Sequence, residues 1–171
     1  MSSQPFIQVV DENNKPLRSE AIETVYNNSL IHRVVLIGIK NKKGEILLQK
    51  RGKDLVTYPG RWDISSAGHV DAGESYIDAA KRELKEELGI TGVELKELKL
   101  FYNRNELVGR IQRRFITIYE VVLPNETPIK IDNQEVIATK WCSLDEVRSL
   151  IELQPDKVAS GLIVFMDQIY S

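Results

Sequence analysis

Residues 68–90 read GHVDAGESYIDAAKRELKEELGI, and the fold is decided by how this stretch is arranged. Ile77, Ala80, Leu84 and Leu88 recur at helical spacing, which predicts a helix over residues 75–88 with one apolar stripe facing a core. Gly89 follows where a helix commonly ends in a left-handed residue. Glu83, Glu86 and Glu87 stand at i, i+3 and i+4, so they share a flank: Glu83 and Glu87 beside the apolar stripe, Glu86 one step further round. Carboxylates this close repel one another, and partial burial raises the cost. A hard divalent cation, Mg²⁺ or Mn²⁺, removes the repulsion, because such ions take oxygen ligands and join carboxylates to phosphates. Acidic helices rich in lysine are usually solvated faces, so the helix alone does not make a site. The residues before it change that reading.

From Gly68 onward the chain follows Gly-x5-Glu-x7-Arg-Glu-U-x-Glu-Glu-x-Gly-U, with U a bulky apolar residue. The matching positions are Gly68, Glu74, Arg82, Glu83, Leu84, Glu86, Glu87, Gly89 and Ile90. This pattern resembles the Nudix box. The similarity extends outward: a hairpin-like pair of apolar runs within residues 31–51 ending in Arg51, a Pro59-Gly60-Arg61-Trp62 segment, and Glu135 leading a strand that ends in Trp141 before Ser143-Leu144-Asp145-Glu146. The resemblance implies an α/β (α+β) fold, a Nudix-type α/β/α sandwich with the box helix packed on a central mixed sheet. It implies a hydrolase that cleaves the diphosphate linkage of a nucleoside diphosphate derivative or another X-linked diphosphate, with Mg²⁺ or Mn²⁺ as cofactor. It assigns Glu83, Glu86 and Glu87 as metal ligands, with the carbonyl of Ala67 completing the site. One of those glutamates, or Glu135, deprotonates the attacking water. Metal-activated water and a neutralised diphosphate are the chemistry such a ligand set supplies.

Other residues take supporting parts in this reading. Arg82, four residues before Glu86, is expected to orient that carboxylate. Glu74 closes the loop at the helix N-terminus, and Gly68 and Gly73 are expected to adopt loop angles closed to other residues. Arg51, Arg61, Arg104, Arg113 and Arg114 are candidates to hold phosphate, with Arg51 the one expected to do so. Trp62 and Tyr102 are candidates to stack on a substrate base; Tyr58 is a third aromatic of this kind.

Leu30-Ile31-His32-Arg33 and the Gly68-His69 pair also resemble the isopentenyl diphosphate isomerase branch of the same superfamily. That branch carries a catalytic cysteine where this chain has Ala67, and alkene protonation needs an acid at close range. Cys142, the one thiol, is expected at a sheet end or in the core. No acidic pair in residues 103–120 matches that branch's second catalytic segment. A non-catalytic binding module, the third reading, usually loses box glutamates, and here all are kept.

The remainder of the chain frames this centre. Residues 6–10 and 17–22, around the turn at 11–16, predict a small N-terminal hairpin (about 5–22). Strands are expected over 31–40 and 45–50, 93–102, 114–123 and 135–141, with residues 103–113 a polar connection. Ser143 to Glu146 match a capping box that opens the C-terminal helices (about 143–170), the last over 156–169. The chain has 171 residues, 42% of them hydrophobic, enough for one sizeable core, so residues 1–171 are read as one domain. With 23 basic and 25 acidic residues, no attraction to nucleic acid polymers or anionic membranes is implied. A lone cysteine fits a reducing cytosol. The first eight residues lack a signal-peptide pattern, and the apolar run 34–39 is too short to span a bilayer. A cytoplasmic protein with a small-molecule partner is expected, and the resemblance admits a homodimer.

Overall fold

The computed structural model describes residues 6–107, 109–124 and 127–171. The chain runs through β1 (Phe6–Val10), β2 (Pro16–Ala21), α1 (Ile22–Asn27), β3 (Ile31–Lys40), β4 (Ile46–Arg51), β5 (Trp62–Asp63), β6 (Ser66–His69) and α2 (Tyr76–Leu88). It continues through β7 (Lys96–Leu107), β8 (Arg110–Val122), β9 (Val136–Cys142), α3 (Leu144–Leu153) and α4 (Ser160–Tyr170).

Strand β3 organises the sheet. Residues Val34 to Ile39 are all buried, as a strand covered on both faces requires. One edge of β3 pairs in parallel with β8 along its whole length, from Ile31 against Arg113 to Lys40 against Val122. The other edge is shared: β1 meets it at His32, β6 runs antiparallel along Val34–Ile37, and β4 joins at Lys40. The runs 31–40 and 46–51 therefore form only the mouth of a hairpin. They pair at Lys40 and Ile46 and then part, and β4 turns to β5 and β9. Ser65 holds the split together from inside. Fully buried, its Oγ accepts from Ile39 N (2.8 Å) and donates to Leu47 O (2.6 Å), backbone groups the opened ladder would leave unpaired.

Helices cover both faces. Val34, Leu36, Ile116 and Ile118 pack under Leu162 and Phe165 of α4 and Val147 and Leu150 of α3. Val35, Ile37 and Ile39 pack on the opposite face under Ala80, Leu84 and Leu88 of α2. Alternation along β3 thus feeds two cores, and the layers are those of an α/β/α sandwich around a mixed sheet. Ser75 caps α2, Gly89 ends it at φ 66°, and Ser143 with Glu146 forms the capping box of α3.

Several expectations are corrected. Ile77 is 39% exposed, and Ala79 lies in the core instead; burial of the two glutamates rotates the helix toward them. Of the polar connection at 103–113, residues 103–107 and 110–113 are strand, because β7 and β8 form one long hairpin paired from Lys96–Glu120 to Leu107–Arg110. Cross-strand pairs such as Arg114 with Asn103 and Asn105 hold its polar part. The N-terminal hairpin is followed by α1, whose Ile22, Val25 and Tyr26 cover Ile7 and Val9. The last helix begins at Ser160 after a 3₁₀ turn at Pro155–Lys157, since Pro155 sets a turn before any α-helix resumes. The expected start of the first hairpin at residue 5, and residues 1–5 of the absent signal pattern, lie outside the described residues. Among the described residues, no helix is long and apolar enough to cross a membrane.

Replacing Ser65 with alanine strands Ile39 N and Leu47 O in the core. The expected loss is about 2 kcal/mol, read as a lower urea midpoint at unchanged slope. A loss below about 0.5 kcal/mol contradicts the clasp.

Candidate active site

The split between β3 and β4 opens toward α2, and Glu87 fills it. Its Oε2 accepts from Ser66 Oγ (2.6 Å), Ala67 N (3.2 Å) and Gln49 Nε2 (3.2 Å). The carboxylate is buried; desolvation holds its pKa well above the usual range, and the charge of Glu83 adds to this. Glu83, one turn earlier, is also buried. Its pKa is pushed up to about 7 by burial, against the pull of the Arg82 guanidinium at 2.7 Å. Glu86 points outward, its side chain 60% exposed.

Gly68 faces Glu83 directly. A Cβ there would collide with Glu83 Oε1. Gly68 is thus required by close approach, not by a left-handed backbone angle; Gly73 does adopt one, at φ 81°. Arg82 reaches further than its i+4 neighbour. It binds Glu74 through two bonds of 3.0 Å, Glu83 Oε1 at 2.7 Å and His69 O at 2.8 Å, and Glu86 more loosely at 3.3 Å. Glu74 also accepts from Asp71 N (3.0 Å), so the loop is tied to the helix through this guanidinium.

These groups line one cleft of about 1060 Å³. It brings together Arg51, Ala67, Arg82, Glu83, Glu86, Glu87 and Glu135, contributed by β4, β6, α2 and the residue preceding β9. Gly52, where a Cβ would collide with Gln134 O, lets the end of β4 press against that last segment, and Gly52 N donates to Glu135 O (2.7 Å). The Glu135 pKa is raised by partial desolvation and by the nearby Asp132 and Glu86. Trp62 and Tyr102 do not line the cleft. Trp62 packs on the core under α4, with Lys140 Nζ 4.4 Å from its ring centroid. Tyr102 sits 43% exposed on β7, edge-on to Phe115, and its Oη accepts from Arg113 Nε (3.1 Å). Cys142 is buried in the core, away from the cleft.

Two parts of the cleft were hidden in the sequence. Ser65 and Ser66 sit in a segment readable only as small and polar. Tyr26 lies on the unforeseen helix α1, though Ile22, Val25 and Tyr26 do recur at helical spacing. The Tyr26 hydroxyl is 2.7 Å from His69 Nε2, and the His69 and His32 rings stack at 5.4 Å. His32 Nδ1 lies 3.1 Å from Leu30 O, while its Nε2 is buried without a partner. Burial depresses the His32 pKa to about 4.

The fit of this site to a divalent cation rests on the donor set. Two desolvated carboxylates whose charge burial disfavours lie in one cleft, and the missing Cβ of Gly68 makes room for the Glu83 carboxylate itself. Among the described residues, no three Asp, Glu, His or Cys side chains already converge on one point. Arg82 spans Glu83 and Glu86 instead.

The NUDIX domain model matches residues 30–163 of this chain. An uncharacterized Nudix hydrolase of Pseudomonas aeruginosa is 33% identical over 153 residues, covering 87% of each chain. The crystal structure of a Deinococcus radiodurans protein superposes with a TM-score of 0.80 at 18% identity, covering 97% of this chain and 99% of the other. The Escherichia coli dihydroneopterin triphosphate pyrophosphohydrolase superposes at 0.59 with 21% identity, over 80% of this chain and 93% of its own. At these identities the two structures speak for the fold.

The buried imidazole of His32 sets a pH dependence. Its pKa in the folded chain, about 4, lies below the unfolded value of 6.5. Its contribution is therefore fully present above pH 6.5 and is lost as pH falls toward 4. His32→Gln is expected to flatten the fall in unfolding free energy between those pH values by up to roughly 3 kcal/mol, measured by urea titration at each pH. Parallel curves for the two proteins exclude this assignment.

Proposed function

Because the chain belongs to the Nudix family of hydrolases, enzymes that act on pyrophosphate bonds, we propose that it cleaves the diphosphate linkage of a nucleoside diphosphate derivative or related X-linked diphosphate, with Mg²⁺ or Mn²⁺. The observation that carries this reading is the pair of buried carboxylates, Glu83 and Glu87, facing a cleft across a glycine. Glu83, Glu86 and Glu87, with the carbonyl of Ala67, would hold the cation. When bound, the ion supplies charge neutralisation at the diphosphate and a bound water of lowered pKa.

The chain's own groups do the rest. Ser66, Ala67 N and Gln49 fix the orientation of Glu87 through three donors on one oxygen. Arg82 orients Glu83 and restrains Glu86, and is itself anchored by Glu74. Glu135 stands at the same cleft on a separate segment, where partial burial and the nearby Asp132 and Glu86 raise its pKa and make it a stronger base than a free carboxylate. Arg51 at the cleft wall is a substrate-facing cation. The isomerase reading lacks its acid: Ala67 occupies the position, and the thiol of Cys142 is in the core. The buried thiol also accords with cytoplasmic residence, and residues 1–171 are taken to act as one domain.

Incubation with Mg²⁺ or Mn²⁺ and a panel of nucleotide-sugars, dinucleotides and isopentenyl diphosphate should give phosphate-containing fragments. An unhydrolysed isomer would favour the isomerase. Glu87→Gln keeps an acceptor for all three donors, so its melting temperature should equal or exceed that of the parent. Turnover should drop by at least about 100-fold, the upper end of what losing a ligand's supporting hydrogen bond costs. Full activity in that variant refutes the reading.

A further inference from the structure

On the wall of the cleft formed by β8, Arg114 carries a charge that no carboxylate among the described residues meets at ion-pair distance; Asp63 acts on it only from further off and itself lies 3.7 Å from Arg51. Arg114 lies on β8, in register with His32 of β3 on one side and Asn103 of β7 on the other. Ile116 and Ile118 follow it on the same face of the sheet, so the core beneath α4 runs directly into a guanidinium. Its Nη2 donates to two neutral acceptors, Asn103 Oδ1 (3.0 Å) and Asn105 Oδ1 (2.8 Å). Its Nε is buried with no partner. Among the described residues, no carboxylate lies within ion-pair distance of it. Buried charges are normally paired, because desolvation without compensation is expensive.

Arg51, which the sequence favours, is in the opposite situation. Its Nε and Nη2 donate to Thr57 O (3.1 Å) and Thr57 Oγ1 (3.2 Å), and its Nη1 lies 3.7 Å from Asp63 Oδ2. A guanidinium already engaged this way, with a carboxylate beside it, has less to offer an incoming anion than one whose acceptors are both neutral amides. The one acid that acts on Arg114, Asp63, lies beyond ion-pair distance and is shared with Arg51, and burial opposes its charge. Tyr26 is a neutral phenol, because burial raises its pKa, and the nearby rings of His32 and His69 are stacked and unpaired with acids. The cleft is therefore bipolar: acids on the α2 side, a cation without a close counter-ion on the β8 side.

We propose that Arg114 forms a second anion subsite in the cleft, taking a phosphate or carboxylate that the substrate carries in addition to the diphosphate held at α2. The part of this inference that concerns substrate rests on the hydrolase reading above; the anion subsite itself does not. A cleft of about 1060 Å³ has room for a molecule much larger than a bare diphosphate. Among the described residues the Nη1 of Arg114 makes no hydrogen bond, and it is the donor, backed by the charge of the guanidinium, that an oxyanion would meet. Phosphate entering without a divalent ion is repelled by the acids of α2, and so reports on Arg114.

The test uses the full chain in EDTA, titrated with inorganic phosphate by calorimetry and by thermal unfolding. Phosphate should bind and raise the melting temperature. Arg114→Gln should weaken binding at least about tenfold, while its melting temperature without phosphate stays equal or rises, because a half-buried charge with no carboxylate at ion-pair distance has been removed. Arg114→Lys should recover part of the affinity. Arg104→Gln, an exposed arginine on β7 outside the cleft, should behave as the parent. Three results overturn the proposal: no phosphate binding by the parent, equal binding by Arg114→Gln, or a lower melting temperature of Arg114→Gln in phosphate-free buffer. The last would make Arg114 a structural bridge to Asn103 and Asn105. Loss of hydrolysis with phosphate binding intact would strike only the hydrolase reading.

Discussion

Strands β3 and β4 meet at one pair, Lys40 and Ile46, and then diverge; the site depends on that divergence. A continuous ladder would close the sheet where Glu87 now lies. Instead β6 takes the vacated edge of β3, Ser65 ties the two strands across the gap, and Ser66 and Ala67 turn their donors to the carboxylate. The opening is therefore paired throughout, as buried backbone requires. The same six-residue path from Asp63 to Gly68 supplies the clasp, the donors and the clearance in front of Glu83. Fold and site are specified by one short connection.

Within this frame the acids are held at a cost. Burial pushes Glu83 to about 7 and Glu87 well beyond the normal range, so the folded chain gives up stability at neutral pH to keep them ionisable. A core built for stability alone would place apolar residues at both positions, as it does at Leu84 and Leu88. Strain of this kind gathers at functional sites. Arg82 relieves part of it, with Glu74 anchoring the guanidinium. Across the cleft Arg114 presents the opposite imbalance. The two walls are electrostatically unsatisfied in opposite senses, which suits a ligand bearing both bound cations and oxyanions.

Sequence periodicity made α2 legible, with its C-terminal cap, because Ala80, Leu84 and Leu88 repeat at the helical period and Gly89 follows them. The fixed spacing from Gly68 to Ile90 identified the acids. The capping box at Ser143 and the strand into Trp141 were readable for similar local reasons. What escaped was set by tertiary pairing. The apolar runs at 31–40 and 46–51 look like an ordinary hairpin, since nothing local records that β8 and β6 claim the edges of β3. The 103–113 segment is too polar to read as strand, yet cross-strand partners hold it. The aromatic positions failed for another reason: Trp62 and Tyr102 have the right chemistry for stacking, but their side chains serve the core and the outer hairpin. The sequence favoured Arg51 over Arg114 without sight of their partners, and an arginine's availability is decided by which acceptors the fold places beside it.

The central claim, that the α2 carboxylates exist to grip a divalent ion beside a diphosphate, is tested most directly by anomalous diffraction from crystals grown with Mn²⁺ and a non-hydrolysable nucleoside diphosphate analogue. The account predicts a manganese peak within coordination distance, roughly 2.0–2.3 Å, of oxygens from Glu83, Glu86 or Glu87, with the analogue's phosphates on its other side. A nucleotide bound elsewhere, or a cleft without manganese while Arg82 still spans Glu83 and Glu86 at saturating Mn²⁺, would contradict it.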